Sequence, residues 1–267
     1  MAHPAGAMSA RAALASKLAR KAGQLALELF NDRDRLTVET KASALDLVSA
    51  ADRAVEDLIR AGIRAEFADD AILGEERGAT AGSSGLTWII DPIDGTVPFL
   101  SGLPHWCVVI AVTEGAQKRV GVIDLPVTGE HFLARSGEGV TVNGAPVSMD
   151  ASKRIDEVVI AVGASDRCER ADIIKIIDGI LQKDGMFYRN GSGANMLASV
   201  AAGRLGGYVE PVMNSWDSVA GLLMIEEAGG IVHPYPADQL IGPVLAAAPG
   251  VWDDLEPIVS PILKLHR

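Results

Sequence analysis

The chain has 267 residues, 48% of them hydrophobic and 22% charged, with a formal net charge of −11. That length allows one large domain or two fused halves, and that balance belongs to an ordinary soluble globular chain. The acidic surplus argues against a nucleic-acid backbone or an anionic membrane as partner. A phosphorylated substrate would be repelled too, and Lys and Arg cluster in no motif, so metal ions are the candidate counter-charge.

The N-terminal stretch is basic but lacks the uninterrupted apolar core of a signal peptide. Leu14, Leu18, Leu25 and Leu29 recur at helical spacing, which predicts an amphipathic helix after Ser9. No run approaches the ~18–20 apolar residues of a membrane span. Cys107 and Cys168 lack C-x-x-C spacing and read as buried thiols of a reducing compartment, so a cytoplasmic protein is expected.

LTVET (36–40) alternates like a short strand. Ser49 precedes Asp52 by three residues, a capping-box-like pair opening a helix with Val55, Leu58, Ile59 and Phe67 on one face. AILGEE (71–76) reads as a strand ending on acids, RGATAGSSG (77–85) as a loop, and TWII (87–90) as a strand. DPIDGTVPF is then a turn into a helix start. WCVVIAVTEG, KRVGVIDLP and EHFLARSGEGVTVNG follow as strands, with a turn at Asn143-Gly144. Near residue 150 the pattern changes to strands alternating with helices. The reading is an N-terminal α+β half (1–150) and a C-terminal α/β half (151–267).

Four carboxylates stand out by position. Glu75 closes a strand, Asp91 and Asp94 close another, and Asp217 opens a helix in SWDSVAG. Strand ends and helix starts are where α/β folds bind ligands, because free backbone N–H groups point outward there. Mg²⁺ takes hard oxygen ligands and is commonly held by a few carboxylates plus phosphate. Pro92 restricts Asp91 to extended backbone, so the two aspartates can be aimed at one place, and the Ile93 carbonyl can add an oxygen. A pair of cations would turn their repulsion into coordination. Taken singly, each acid has an ordinary reading as turn chemistry, a helix-dipole charge or a solvated loop acid. Gly95 would let a phosphate approach the backbone, and Thr96 would orient a water or simply cap a helix.

GEE, WIIDPIDGT and WDSVAGLLMIEEAGG, in this order and at these separations, resemble the inositol monophosphatase family of Mg²⁺-dependent, lithium-sensitive sugar phosphatases, over about Lys41 to His233. The resemblance implies a layered αβαβα sandwich, usually a homodimer, acting on a small phosphorylated polyol with two or three Mg²⁺ per active site. It implies Glu75, Asp91, the Ile93 carbonyl, Asp94 and Asp217 as metal ligands and Gly95 and Thr96 as the phosphate turn. Asp52 would act with Thr96 on the attacking water. Glu210 would bind substrate hydroxyls, and Ser192, Gly193 and Ala194 would face the substrate ring. Val97-Pro98-Phe99 replaces the Thr-Asn-Phe common after D-G-T. FLSGLPHW and GVIDLPVTGE lean toward histidinol-phosphate phosphatases of the same superfamily. Inositol-1-phosphate is the first substrate expected, and histidinol phosphate the second. A non-catalytic metal-binding regulator with the same fold is the rival from another class.

Overall fold

LTWIIDPID is apolar on both faces of the pleat up to its carboxylates, so a strand made from it needs cover on both sides. The fold supplies that cover. The structure is a computed structural model and describes residues 5–32, 38–40 and 47–264.

Helix α1 (Ala5–Asn31) is followed by a hairpin of β1 (Val38–Thr40) and β2 (Leu47–Ser49), then α2 (Ala50–Glu66). Next come β3 (Ala71–Gly74), β4 (Gly78–Thr80), β5 (Leu86–Asp94), the short α3 (Thr96–Leu100), β6 (Cys107–Glu114), β7 (Gln117–Leu125), β8 (Glu130–Arg135), β9 (Gly139–Val142) and β10 (Ala145–Val147). The strands from β3 onward form one mixed sheet in the order β10-β9-β8-β7-β6-β5-β3-β4, in which only β3 and β5 run parallel.

After a 3₁₀ turn at Ile155–Glu157 come β11 (Val159–Val162), α4 (Arg170–Leu181), β12 (Met186–Tyr188), α5 (Gly193–Ala201), β13 (Gly207–Asn214), α6 (Ser215–Glu227), β14 (Ile231–Val232), β15 (Ile241–Ala247) and α7 (Pro249–Leu263). A second sheet runs β12-β11-β13-β15-β14, parallel across its first three strands.

The apolar side chains sort into three layers of core. Leu18 and Ala22 of α1 and Val55, Ile59 and Ile63 of α2 pack on Trp88, Ile90, Val108 and Ile110, one face of the first sheet. Ile89, Val109, Ala111 and Ile123 point to its other face and meet α5 and α6, which also cover Tyr208, Val244 and Ala246 of the second sheet. The far face of that sheet carries Ile160, Val209 and Leu245, closed by Ile176 and Ile180 of α4 and Val251 and Leu255 of α7. The result is the expected αβαβα stack.

Several local expectations need correction. Helix α1 starts at Ala5, ahead of Ser9, because Ala5, Ala7 and Met8 are good helix formers that extend it in spite of Gly6. The 77–85 segment is not all loop, since Gly78–Thr80 pairs with β3. The TWII strand continues through Asp94, and EHFLARSGEGVTVNG is two strands broken by a turn before Gly139. The turn at Asn143-Gly144 is present, with φ of 51° and 83°, the positive pair a tight hairpin requires. Cys107 is buried, whereas Cys168 is half-buried; both are free thiols. Residues 36–37, the side chain of Ser49 and the start of the matched stretch at Lys41 lie outside what is described.

Candidate metal centre

β3 and β5 are parallel with Gly74 opposite Ile90, so the next residue on each, Glu75 and Asp91, arrive side by side. The Glu75 N–H donates to the Ile90 carbonyl at 3.2 Å and ties the two chain ends together.

In a regular strand Asp91 and Asp94, an odd number of residues apart, would point to opposite faces. They do not. Asp91 lies opposite Val109 and Asp94 opposite Cys107, so β5 spends three steps where β6 spends two. That extra residue is a β-bulge containing Pro92, a place where a strand tolerates the missing N–H. The bulge turns both carboxylates toward the layer of α5 and α6. Asp217 comes from the first turn of α6, so its carboxylate reaches the same place from the opposite side.

Glu75, Asp91 and Asp217 each offer one carboxylate oxygen, and the three oxygens lie within 4.8 Å of one another. With Ile93, Asp94, Gly95 and Thr96 they line a cavity of ≈ 570 Å³. Burial, then the charges of Glu75, Asp217 and Asp94, push the Asp91 carboxyl well above its ordinary range. Burial and then the Asp94 charge push Asp217 up to about 7, against a hydrogen bond from Asn214 Nδ2 to its Oδ2 at 3.2 Å. At neutral pH such a group is held fully ionised by a positive charge beside it, so the donor set fits a hard divalent cation.

Asp94 is held differently. Its Oδ2 accepts from the Ser192 hydroxyl at 2.5 Å and from the Ala194 N–H at 2.7 Å. Burial raises its pKa, while Ser192 and the backbone N–H groups at the start of α5 pull it down. Ser192 and Ala194, expected to face the substrate ring, are thus on Asp94, with Gly193 between them opening α5. The Thr96 hydroxyl donates to the Ile93 carbonyl at 3.3 Å. Gly95 has φ of +94°, and a Cβ there would stand 2.8 Å from the His105 carbonyl oxygen, so both conformation and space call for glycine. Asp52 is buried in the first turn of α2 and Glu210 in β13; neither lines the cavity. Burial raises Glu210 to about 7, and its Oε2 accepts a short hydrogen bond from the Tyr208 hydroxyl.

Sequence reasoning missed the other wall. Ser165, Asp166 and Arg167 follow β11, and Arg189 and Asn190 follow β12, at the C-terminal ends of parallel strands. The strand-end rule for α/β sheets was the signal available for them. Arg167 lowers the pKa of both Glu210 and Asp217, and Arg189 Nη2 donates to the Ala164 carbonyl at 2.9 Å. The cavity therefore has cations of its own, contrary to the expectation of metal ions alone.

The profile of the inositol monophosphatase family matches residues 8–255. The chain belongs to that family. Among relatives, the protein called Nus factor SuhB in Pasteurella multocida is 35% identical over 260 residues, covering 94% of this chain and 96% of that one. Among solved structures, the extragenic suppressor protein suhB of Bartonella henselae superposes with a TM-score of 0.87 at 30% identity, covering 94% of this chain and 98% of the other. The IMPase of Thermotoga maritima gives 0.84 at 29% identity, covering 95% and 98%. Within the inositol monophosphatase fold, the acidic group of this chain lies where the two sheets and α6 meet. Among the described residues no helix is long and apolar enough to cross a membrane.

Proposed function

We propose that this chain is a Mg²⁺-dependent phosphomonoesterase acting on a small polyol phosphate, with inositol-1-phosphate the first candidate. The observation that carries the reading is the convergence of Glu75, Asp91 and Asp217, from three separate elements, on one point of an open cavity. Family membership supports it.

Glu75, Asp91, the Ile93 carbonyl, Asp94 and Asp217 would hold two or three Mg²⁺, which supply Lewis-acid charge toward the ester oxygens and the attacking water. The chain's own groups do the rest. Thr96 spends its proton on the Ile93 carbonyl, so its oxygen is left to accept from a water and orient it. Asp52 is assigned to that water with Thr96. Gly95 opens the backbone to phosphate. Arg167 and Arg189 offset the acidic wall facing an anionic substrate. Ser192, Gly193 and Ala194 fix Asp94, and Glu210 is assigned to substrate hydroxyls. Millimolar-scale inhibition by Li⁺, a cytoplasmic location and a homodimer complete the proposal. Ile174, Leu181, Met186 and Phe187 of α4 and β12, all exposed apolar side chains, support pairing with a second copy.

The relatives named Nus factor carry a second reading, a link to transcription, so the expected lack of a nucleic-acid partner is not confirmed. One assay tests the enzyme reading. Inorganic phosphate release is measured with inositol-1-phosphate, histidinol phosphate, 3′-phosphoadenosine 5′-phosphate and fructose 1,6-bisphosphate, with and without Mg²⁺. Mg²⁺-dependent release that disappears in Asp94→Asn is expected. Mg²⁺ binding without turnover on any of the four esters would refute the enzyme reading.

A further inference from the structure

Glu56 and Arg60 are one turn apart on the buried face of α2, and neither lines the cavity. Glu56 is 0% exposed and Arg60 5%. Arg60 Nε donates to Glu56 Oε1 at 2.6 Å. Glu56 then accepts two backbone N–H groups, from Glu76 to Oε2 at 2.8 Å and from Arg77 to Oε1 at 3.1 Å. Arg60 turns its other nitrogens to the same hairpin: Nη1 donates to Thr80 Oγ1 at 3.2 Å, and Nη2 to the Gly78 carbonyl. Every one of these bonds to the hairpin falls on residues 76–80, directly after Glu75. Gly74, just before it, lies so close that a Cβ would stand 2.2 Å from Glu56 Oε1.

A buried ion pair that served only as glue would be a poor choice, because desolvation commonly cancels its attraction and an apolar pair packs as well. An apolar pair could not bind the two N–H groups that follow Glu75. The pair is also neutral overall, so it braces the acidic group without adding to its repulsion.

Resting on the reading of the site as a metal centre, we propose that Glu56 and Arg60 are positioning residues. They hold the β3–β4 turn so that the Glu75 carboxylate is aimed at the cation before it arrives. Groups that support a metal ligand typically contribute about 10–100-fold in metal affinity.

The test is isothermal titration of the full chain with Mg²⁺ alone, together with the melting temperature in EDTA. Glu56→Gln and Arg60→Lys are compared with Asp57→Asn, which breaks the exposed ion pair between Asp57 and the Arg77 side chain on the same turn. In Glu56→Gln and Arg60→Lys the Mg²⁺ Kd is expected to rise about 10–100-fold, with activity regained at high Mg²⁺ and KM for the ester nearly unchanged. Asp57→Asn should leave the Mg²⁺ Kd as it was. A lower melting temperature with an unaltered Mg²⁺ Kd would show a purely structural pair and overturn the proposal. So would failure of both variants to fold, or equal weakening in Asp57→Asn. If the unsubstituted protein binds no Mg²⁺, the metal reading itself falls and takes the proposal with it; binding that Glu56→Gln leaves intact removes the proposal alone.

Discussion

Asp91 sits among Glu75, Asp217 and Asp94 with almost no access to water, and its pKa is raised by burial first and by those neighbours next. One residue thus carries both a cost to the fold and a candidate role in binding. Asp91→Asn keeps the oxygen that accepts the Ile93 N–H at 3.0 Å and removes only the charge. In EDTA this variant should melt a few degrees higher, since a gain of about 1 kcal/mol moves Tm by roughly 2–4 °C in a chain of this size class. Its Mg²⁺-dependent phosphate release should fall by more than ~100-fold, beyond the range for groups that merely support a ligand. Scanning calorimetry and a phosphate-release assay check the pair of outcomes. Asp91 and its motif were legible in the sequence because four consecutive residues carry the argument. Arg167 and Arg189 were not, because each is an exposed arginine in an ordinary loop until the fold sets the two loops side by side.

At the scale of elements, the bulge in β5 and the turn behind it do the aiming. Gly95 follows the bulge at positive φ, wedged against the His105 carbonyl and the Ser192 side chain. Gly95→Ala should therefore cost more than about 1 kcal/mol, because an L side chain is strained there and the neighbours on one side are backbone. A lower urea midpoint at unchanged m-value would register it. The strand itself was read from its apolar run, but its length was not. Asp-Pro-Ile-Asp looks like a turn by composition, and only the partner strand β6 shows that pairing resumes at Asp94. Helix α7 is hidden from local rules for a similar reason. Pro257 and Pro261 fall inside it, and local rules end a helix at proline, yet Val251, Leu255 and Val259 hold it on the second sheet. A further case is His131, whose imidazole bridges Asp124 and Ser16 at 2.7 Å each and latches α1 to β7 and β8.

At the scale of the molecule, several buried acids in and beside the site share one pH signature. Asp217 and Glu210 are raised to about 7, and Asp91 lies well above its ordinary range. A folded-state pKa above the unfolded one means the native state binds more protons between the two values. From these groups the metal-free protein loses stability as pH rises from about 4 toward 7. Mg²⁺ needs Asp91 and Asp217 ionised and displaces their protons, so its stabilising effect grows over the same window. The difference in Tm between saturating Mg²⁺ and EDTA should be small at pH 5 and larger at pH 8. An equal difference at both would argue against a cation at these carboxylates.

The sequence alone determined which side chains can carry chemistry and which are apolar, because residue identity and local spacing need no partner to be read. Glu75, Asp91, Asp94, Thr96 and Asp217 were therefore available from the start, as was the change from a strand-rich half to alternating strands and helices. Only the tertiary structure decided that three acids, from the turn after β3, from β5 and from α6, meet within 4.8 Å, that arginines after β11 and β12 face them, and that Glu56 and Arg60 brace the turn behind Glu75. The physical reason is register: parallel pairing of β3 with β5, one extra residue in β5 and the burial of α6 between two sheets set distances that no local spacing contains.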